Sequence, residues 1–93
     1  MEFFMAYVKK GYLKETVQYV SNSGINYKYE IFQRSDGASY YAMVSRLDEA
    51  IPGSEHHIWV YDGKEINFPD GTNHVQFAVD EVTDHFKFNF QNS

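Results

Sequence analysis

Residues 25–45 read INYKYEIFQRSDGASYYAMVS, and this stretch decides the fold. Ile25, Tyr27, Tyr29 and Ile31 alternate with Asn26, Lys28 and Glu30. Successive side chains of an extended chain point to opposite faces, so a period of two predicts a strand with one apolar face. Asp36-Gly37 follows, and both residue types tolerate the positive φ that a tight hairpin needs. Ser39 to Ser45 then reads as the antiparallel partner. It is apolar on both sides, with Tyr40, Ala42 and Val44 opposed to Tyr41 and Met43. Strands of that kind are normally central and covered on each face.

The same signals recur further along the chain. His57 to Tyr61 sets Ile58 and Val60 against Trp59 and Tyr61, which predicts another central strand. Asp62-Gly63 reads as a turn into Lys64 to Phe68, and Pro69-Asp70-Gly71 as a second turn. His74 to Asp80 carries Val75, Phe77 and Val79 on one face, and His85 to Phe90 carries Phe86, Phe88 and Phe90, so both read as strands. A helix over 80–90, through Val82 and Phe86, is the alternative. Towards the N-terminus, Ser21-Asn22-Ser23-Gly24 is a further turn. Phe3, Phe4, Tyr7 and Val8, and then Leu13, Val17 and Val20, have helical spacing, although Thr16 to Val20 is also rich in strand formers. A helix within residues 2–21 would cover the second face of the sheet. Ser45-Arg46-Leu47-Asp48 resembles a capping box and predicts one helical turn.

The expected architecture is mainly β, with α+β as the other possibility. It is a single small antiparallel sheet, sandwich or partly open barrel of about five to seven short strands joined by Asp-Gly turns. An N-terminal helical segment packs on it. Residues 1–93 make one domain. The chain has no cysteine, so disulfides and thiolate metal sites are excluded. It depends on its apolar core, for which eight Phe, eight Tyr and one Trp supply the large side chains. The apolar run Phe3 to Val8 is preceded by Glu2 and followed by Lys9-Lys10, the wrong polarity for a secretory leader, and no stretch has the length of a membrane span. A cytoplasmic location is expected, which would be the host cytoplasm for a viral protein.

Charge is divided unevenly. Residues 1–46 carry four acids and six bases, whereas residues 47–93 carry nine acids against Lys64 and Lys87. Phosphate contacts need clustered Lys and Arg, so the second half is not expected to bind nucleic acid directly. An acidic surface with rigid aromatic anchors instead predicts contact with a protein that has a basic surface. Trp59 and Tyr61 are the candidate anchors, and Asp62, Glu65, Asp70, Asp80, Glu81 and Asp84 the candidate charges. In size, acidity and lack of cysteine the chain is similar to small phage-encoded inhibitors of host defence, including anti-CRISPR proteins and DNA mimics. That similarity is one of composition, without a shared motif. It implies stoichiometric inhibition of a nucleic-acid-binding protein.

Four histidines, His56, His57, His74 and His85, lie near Glu55, Asp80 and Asp84 and are the only candidate metal ligands. His56 and His57 point to opposite sides of an extended strand, and no His-x-x-x-His pair occurs, so neither a metal nor any other cofactor is assigned. Gly63, Pro69, Gly71 and His74 resemble part of the second cupin signature, with His56-His57 a loose echo of the first. The first signature wants two histidines one residue apart, and the second an Asn where this chain has Ala78. Three of the four matching residues are ones a hairpin uses anyway, and the chain is not assigned to that family. The resemblance implies, as an alternative, a small metal- or ligand-binding barrel. A structural or assembly protein that self-associates through exposed strand edges is a third possibility. No Gly-x-Ser-x-Gly elbow, phosphate-binding loop or facing carboxylate pair is present, so no enzyme activity is expected.

Overall fold

A computed structural model describes residues 11–35, 39–68 and 74–93. Four strands follow one another along the chain: β1 (Gly11–Val20), β2 (Asn26–Arg34), β3 (Tyr40–Glu49) and β4 (His57–Asn67). They form a single open antiparallel sheet in the order β1-β2-β3-β4, closed by the helix α1 (Val75–Asn89). The described structure is thus an α+β meander with a helix on one face, and not a sandwich or a barrel.

The central strand pair forms as its alternation dictates; its expected Asp36-Gly37 turn lies outside the described residues. Tyr29 stands opposite Val44, and Ile31 opposite Ala42. Tyr27, Tyr29, Ile31, Ala42 and Val44 are buried on one face together with Ala78, Val82 and Phe86 of α1. On β1, Val17 and Tyr19 pair with Tyr29 and Tyr27 and pack against this core. Large rings do most of the filling. Tyr19 stacks on Phe86 at 4.8 Å between centroids, and Tyr27 stacks on Phe90 at 4.5 Å. The end of α1 is tied to the β1–β2 turn, where the backbone N–H of Asn22 donates to the Gln91 carbonyl at 2.8 Å and Tyr27 Oη lies 3.1 Å from Ser93 Oγ.

Four expectations are corrected. Residues 11–20 form a strand and not a helix; the rest of the expected N-terminal helix, residues 2–10, lies outside the described residues. The helical spacing of Leu13, Val17 and Val20 loses to nine residue pairings with β2, which put Val17 and Tyr19 on the core face. The two strands expected over 74–80 and 85–90 are the single helix α1, with Ala78, Val82 and Phe86 inward at intervals of four. Ser45 to Asp48 does not form a helical turn. It continues β3, because Leu47 and Asp48 find ladder partners in Trp59 and Ile58.

Asp62-Gly63, lastly, joins no hairpin. Ser45 pairs with Tyr61 and Met43 with Glu65, so residues 62–64 bulge within one long strand. Gly63 has φ 85°, and Asp62 Oδ1 accepts the Lys64 N–H at 2.9 Å. The turn-forming residues are satisfied by a bulge, so residues 57–67 make one strand rather than two and the described residues hold four. Because β4 is the last strand of the sheet, its residues are not covered on both sides as expected. Ile58, Val60 and Tyr61 are 51%, 44% and 40% exposed.

The sheet face away from α1 has its own smaller cluster. Tyr41 is buried there, stacked on Phe32 at 5.2 Å with the Arg34 guanidinium 4.6 Å from its ring centroid. Gly11 makes room for it, since a Cβ at that position would stand 2.9 Å from the Tyr41 ring and 2.6 Å from the Gln33 carbonyl oxygen. Among the described residues no helix is long and apolar enough to cross a membrane.

Candidate functional site

The helix α1 packs over β1, β2 and β3. Its inner stripe is fixed by burial, so the opposite flank is fixed as well. With 3.6 residues per turn, Phe77, Glu81, Asp84 and Phe88 fall at intervals of four, three and four, along one outward-facing line. Phe77 is 53% exposed and Phe88 is 93% exposed, the largest exposure among the large hydrophobic residues described. Asp80 lies beside the line, one turn before Asp84, and accepts a hydrogen bond from Gln76 Nε2 at 3.2 Å. The structure therefore brings together Asp80, Glu81 and Asp84, and interleaves them with two aromatic rings. Among the described residues no cation pairs with Glu81 or Asp84.

Two grooves open here, the first over β2, β3 and β4 beside Phe90 and the second between α1 and the end of β4. One, of about 310 Å³, is lined by Tyr27, Val44, Arg46, Val60, Asp62 and Phe90. The other, of about 340 Å³, has Ile66, Phe68 and Phe88 as apolar lining, with Glu81, Asp84 and His85 beside them. Asp62 is on the helix side of the β4 bulge, near enough for its charge to act on Tyr29 and His85. It belongs to the same acidic side of the molecule as the helix carboxylates.

The remaining expected site residues are elsewhere. Trp59 and Tyr61 pair with Leu47 and Ser45 on the sheet face turned away from α1. There the Lys28 ammonium lies 4.7 Å from the Trp59 ring centroid, a cation–π contact within the sheet. Glu65 is on the same far face, 3.4 Å from Arg34, which also donates to Asn67 Oδ1 at 2.6 Å. The expected single surface is thus divided by the sheet. Trp59 and Tyr61 lie on the face opposite the helix carboxylates, because alternate residues of β4 face opposite ways. Asp70 lies outside the described residues.

Phe77 and Phe88 were not singled out by sequence reasoning. Read as a strand, Phe86, Phe88 and Phe90 share one face; on a helix Phe88 is rotated by about 200° from Phe86 and emerges on the far side. The signal that identifies them is the helical register Ala78, Val82 and Phe86.

The histidines do not converge. His56, His57 and His74 are exposed, in the β3–β4 loop, at the start of β4 and at the N-terminus of α1. His85 is engaged beneath the helix, with its Nδ1 2.8 Å from Tyr29 Oη. Among the described residues no group of three or more His, Asp or Glu could hold a metal. The Tyr29–His85 pair is the most perturbed polar contact. Burial pushes the Tyr29 hydroxyl far above its ordinary range, with Tyr19, Asp62 and Tyr27 adding to the effect. Burial also lowers the His85 pKa, against the opposing pull of the Asp62 charge. Tyr29 is 0% exposed, and its contact with His85 ties the helix to the sheet. No family model, curated protein or solved structure matches the chain.

Proposed function

We propose that the chain is a non-enzymatic binding protein that acts by stoichiometric contact with another protein, through the outer flank of α1 and the adjoining helix side of β4. The observation that carries this reading is the exposure of Phe88, at 93%, in line with Glu81 and Asp84. Packing of the fold gives that ring nothing to do. Binding hot spots combine an aromatic anchor that becomes desolvated with a surrounding rim of polar groups. Here the anchor and the rim are supplied by one rigid helix, which costs little ordering on association.

The sign of the charge defines the partner. Asp62, Asp80, Glu81 and Asp84 would draw a basic surface and speed its association. Surfaces dense in Lys and Arg are those that hold phosphates. The partner is therefore a nucleic-acid-binding protein, and occupation of its basic surface would inhibit it. The acidic, cysteine-free composition shared with phage-encoded inhibitors of host defence supports the same reading. On this reading the protein works in the cytoplasm, that of the host if it is viral.

The test is capture from lysate by immobilised wild-type protein and by two variants, Phe88→Ala and the triple Asp80→Asn, Glu81→Gln, Asp84→Asn. The reading expects one near-stoichiometric basic partner, released by moderate salt from the wild type and lost from both variants. Equal capture by all three would refute it. A second reading, self-assembly, is favoured by the edge of β4, unpaired among the described residues, with Ile58 and Val60 exposed beside it. Sedimentation over a range of protein concentrations separates the two, since only self-assembly makes the mass concentration-dependent.

A further inference from the structure

We propose that the apolar groove between the end of β4 and the outer flank of α1 takes an arginine side chain presented by an apolar segment of the partner protein. The inference rests on the protein-binding reading and names the chemistry recognised. Ile66, Phe68 and Phe88 supply apolar walls, and Glu81 and Asp84, one helical turn apart, stand at the edge. Long cationic side chains bury their methylene stems on apolar surface and keep the charged head at a polar rim. The groove has that division, and its volume of about 340 Å³ suits a side chain better than a folded element.

Arginine fits more of these features than lysine does. Its planar guanidinium stacks on an aromatic face, and the Phe88 ring is almost wholly accessible. Its fork of donors can reach both carboxylates, and it is the more weakly hydrated cation. A wholly apolar occupant would bury the edge while leaving two carboxylates unpaired, which is costly. An acidic occupant would be repelled.

A second copy of this chain is a poor source of the arginine. Arg34 is held by Glu65 and Asn67, and Arg46 by Asp48 at 3.0 Å. These are its only two arginines, and its net charge of −5 opposes self-contact. The arginine therefore comes from a different protein.

The test is titration of the isotopically labelled full chain with short alternating Leu-Arg, Leu-Lys and Leu-Glu peptides of equal length, followed by amide chemical shifts. The expected result is saturable binding of the Leu-Arg peptide with shifts centred on Ile66, Glu81, Asp84 and Phe88. The Leu-Lys peptide binds several-fold more weakly and the Leu-Glu peptide not at all. Glu81→Gln with Asp84→Asn weakens the Leu-Arg peptide about tenfold, as loss of charge-assisted hydrogen bonds implies, with an unchanged melting temperature. Shifts centred elsewhere, equal binding of Leu-Glu, or indifference to the double variant would overturn the groove assignment. Partner capture that depends on Phe88 while the Leu-Arg peptide stays silent would overturn the arginine inference and leave the protein-binding reading standing. Peptide binding in the groove, with partner capture indifferent to the outer flank, would do the reverse.

Discussion

Phe86 and Phe88 lie two residues apart on one helix and have opposite surroundings. Phe86 is 5% exposed, stacked on Tyr19 and set edge-on to Tyr27. Phe88 is 93% exposed and has carboxylates for neighbours along its flank. The inner flank of α1 shows what an aromatic ring does for this fold, and the outer flank shows a ring the fold does not use. Chemically equal residues are thus divided by helical geometry into one that makes the structure and one left available for contact.

Phe86→Ala sharpens this comparison most. Removing a ring from the middle of the core should cost about 3–5 kcal/mol, through lost burial and an unfilled cavity. Urea unfolding measures it, and a cost below ~1 kcal/mol would mean that the helix is not seated as described. Tyr29→Phe comes next. It keeps the ring but deprives His85 Nδ1 of its 2.8 Å partner, and should cost about 1–3 kcal/mol by the same measurement.

The inner flank should also respond to pH. The ordinary histidine value is 6.5, and burial in the folded protein lowers that of His85. The unfolded chain therefore takes up this proton at higher pH than the folded one. Stability from this group is complete above pH 6.5 and declines as pH falls through that value towards the lowered folded one. Melting temperature should drop as pH falls through 6.5, and His85→Gln should flatten that part of the profile. A melting temperature that rises on acidification through this window would contradict the buried setting of His85.

The smallest effect on stability belongs to Phe88→Ala, expected within about 0.5 kcal/mol of the wild type because the ring packs against little. The same change should weaken partner binding by at least ~2 kcal/mol, as for an interface anchor. A large loss of stability in Phe88→Ala would mean that the outer flank belongs to the core after all.

Legibility in the sequence followed the ambiguity of the hydrophobic period. Over 25–45 the alternation has no competing reading, and β2 and β3 pair antiparallel as expected. Residues 75–89 satisfy two periods at once. Val75, Phe77 and Val79 alternate, while Val75, Val79, Val82 and Phe86 repeat as a helix does. The choice is made by the sheet, whose face of Tyr27, Tyr29 and Ile31 needs a cover. Residues 11–20 are the converse case, where helical spacing yields to pairing with β2. Asp62-Gly63 carries a turn signal that a bulge satisfies as well as a hairpin does.

The candidate site inherits the same ambiguity. Asp80, Glu81 and Asp84 are close in sequence, so their nearness was legible, but only a helix sets Glu81 and Asp84 one turn apart on one side. Phe88 was not, because a strand frame places it with Phe86 and only a helix frame turns it outward. Trp59 and Tyr61 share one face of β4 as their alternation implies, but strand parity does not say which face a helix will cover.

The most direct test of the account is a paired measurement on Phe88→Ala and the wild type, of thermal stability and of capture of a basic protein partner. The account predicts coincident melting curves, with the partner retained by the wild type alone. Undiminished capture by Phe88→Ala, with the melting curves still coincident, would contradict it.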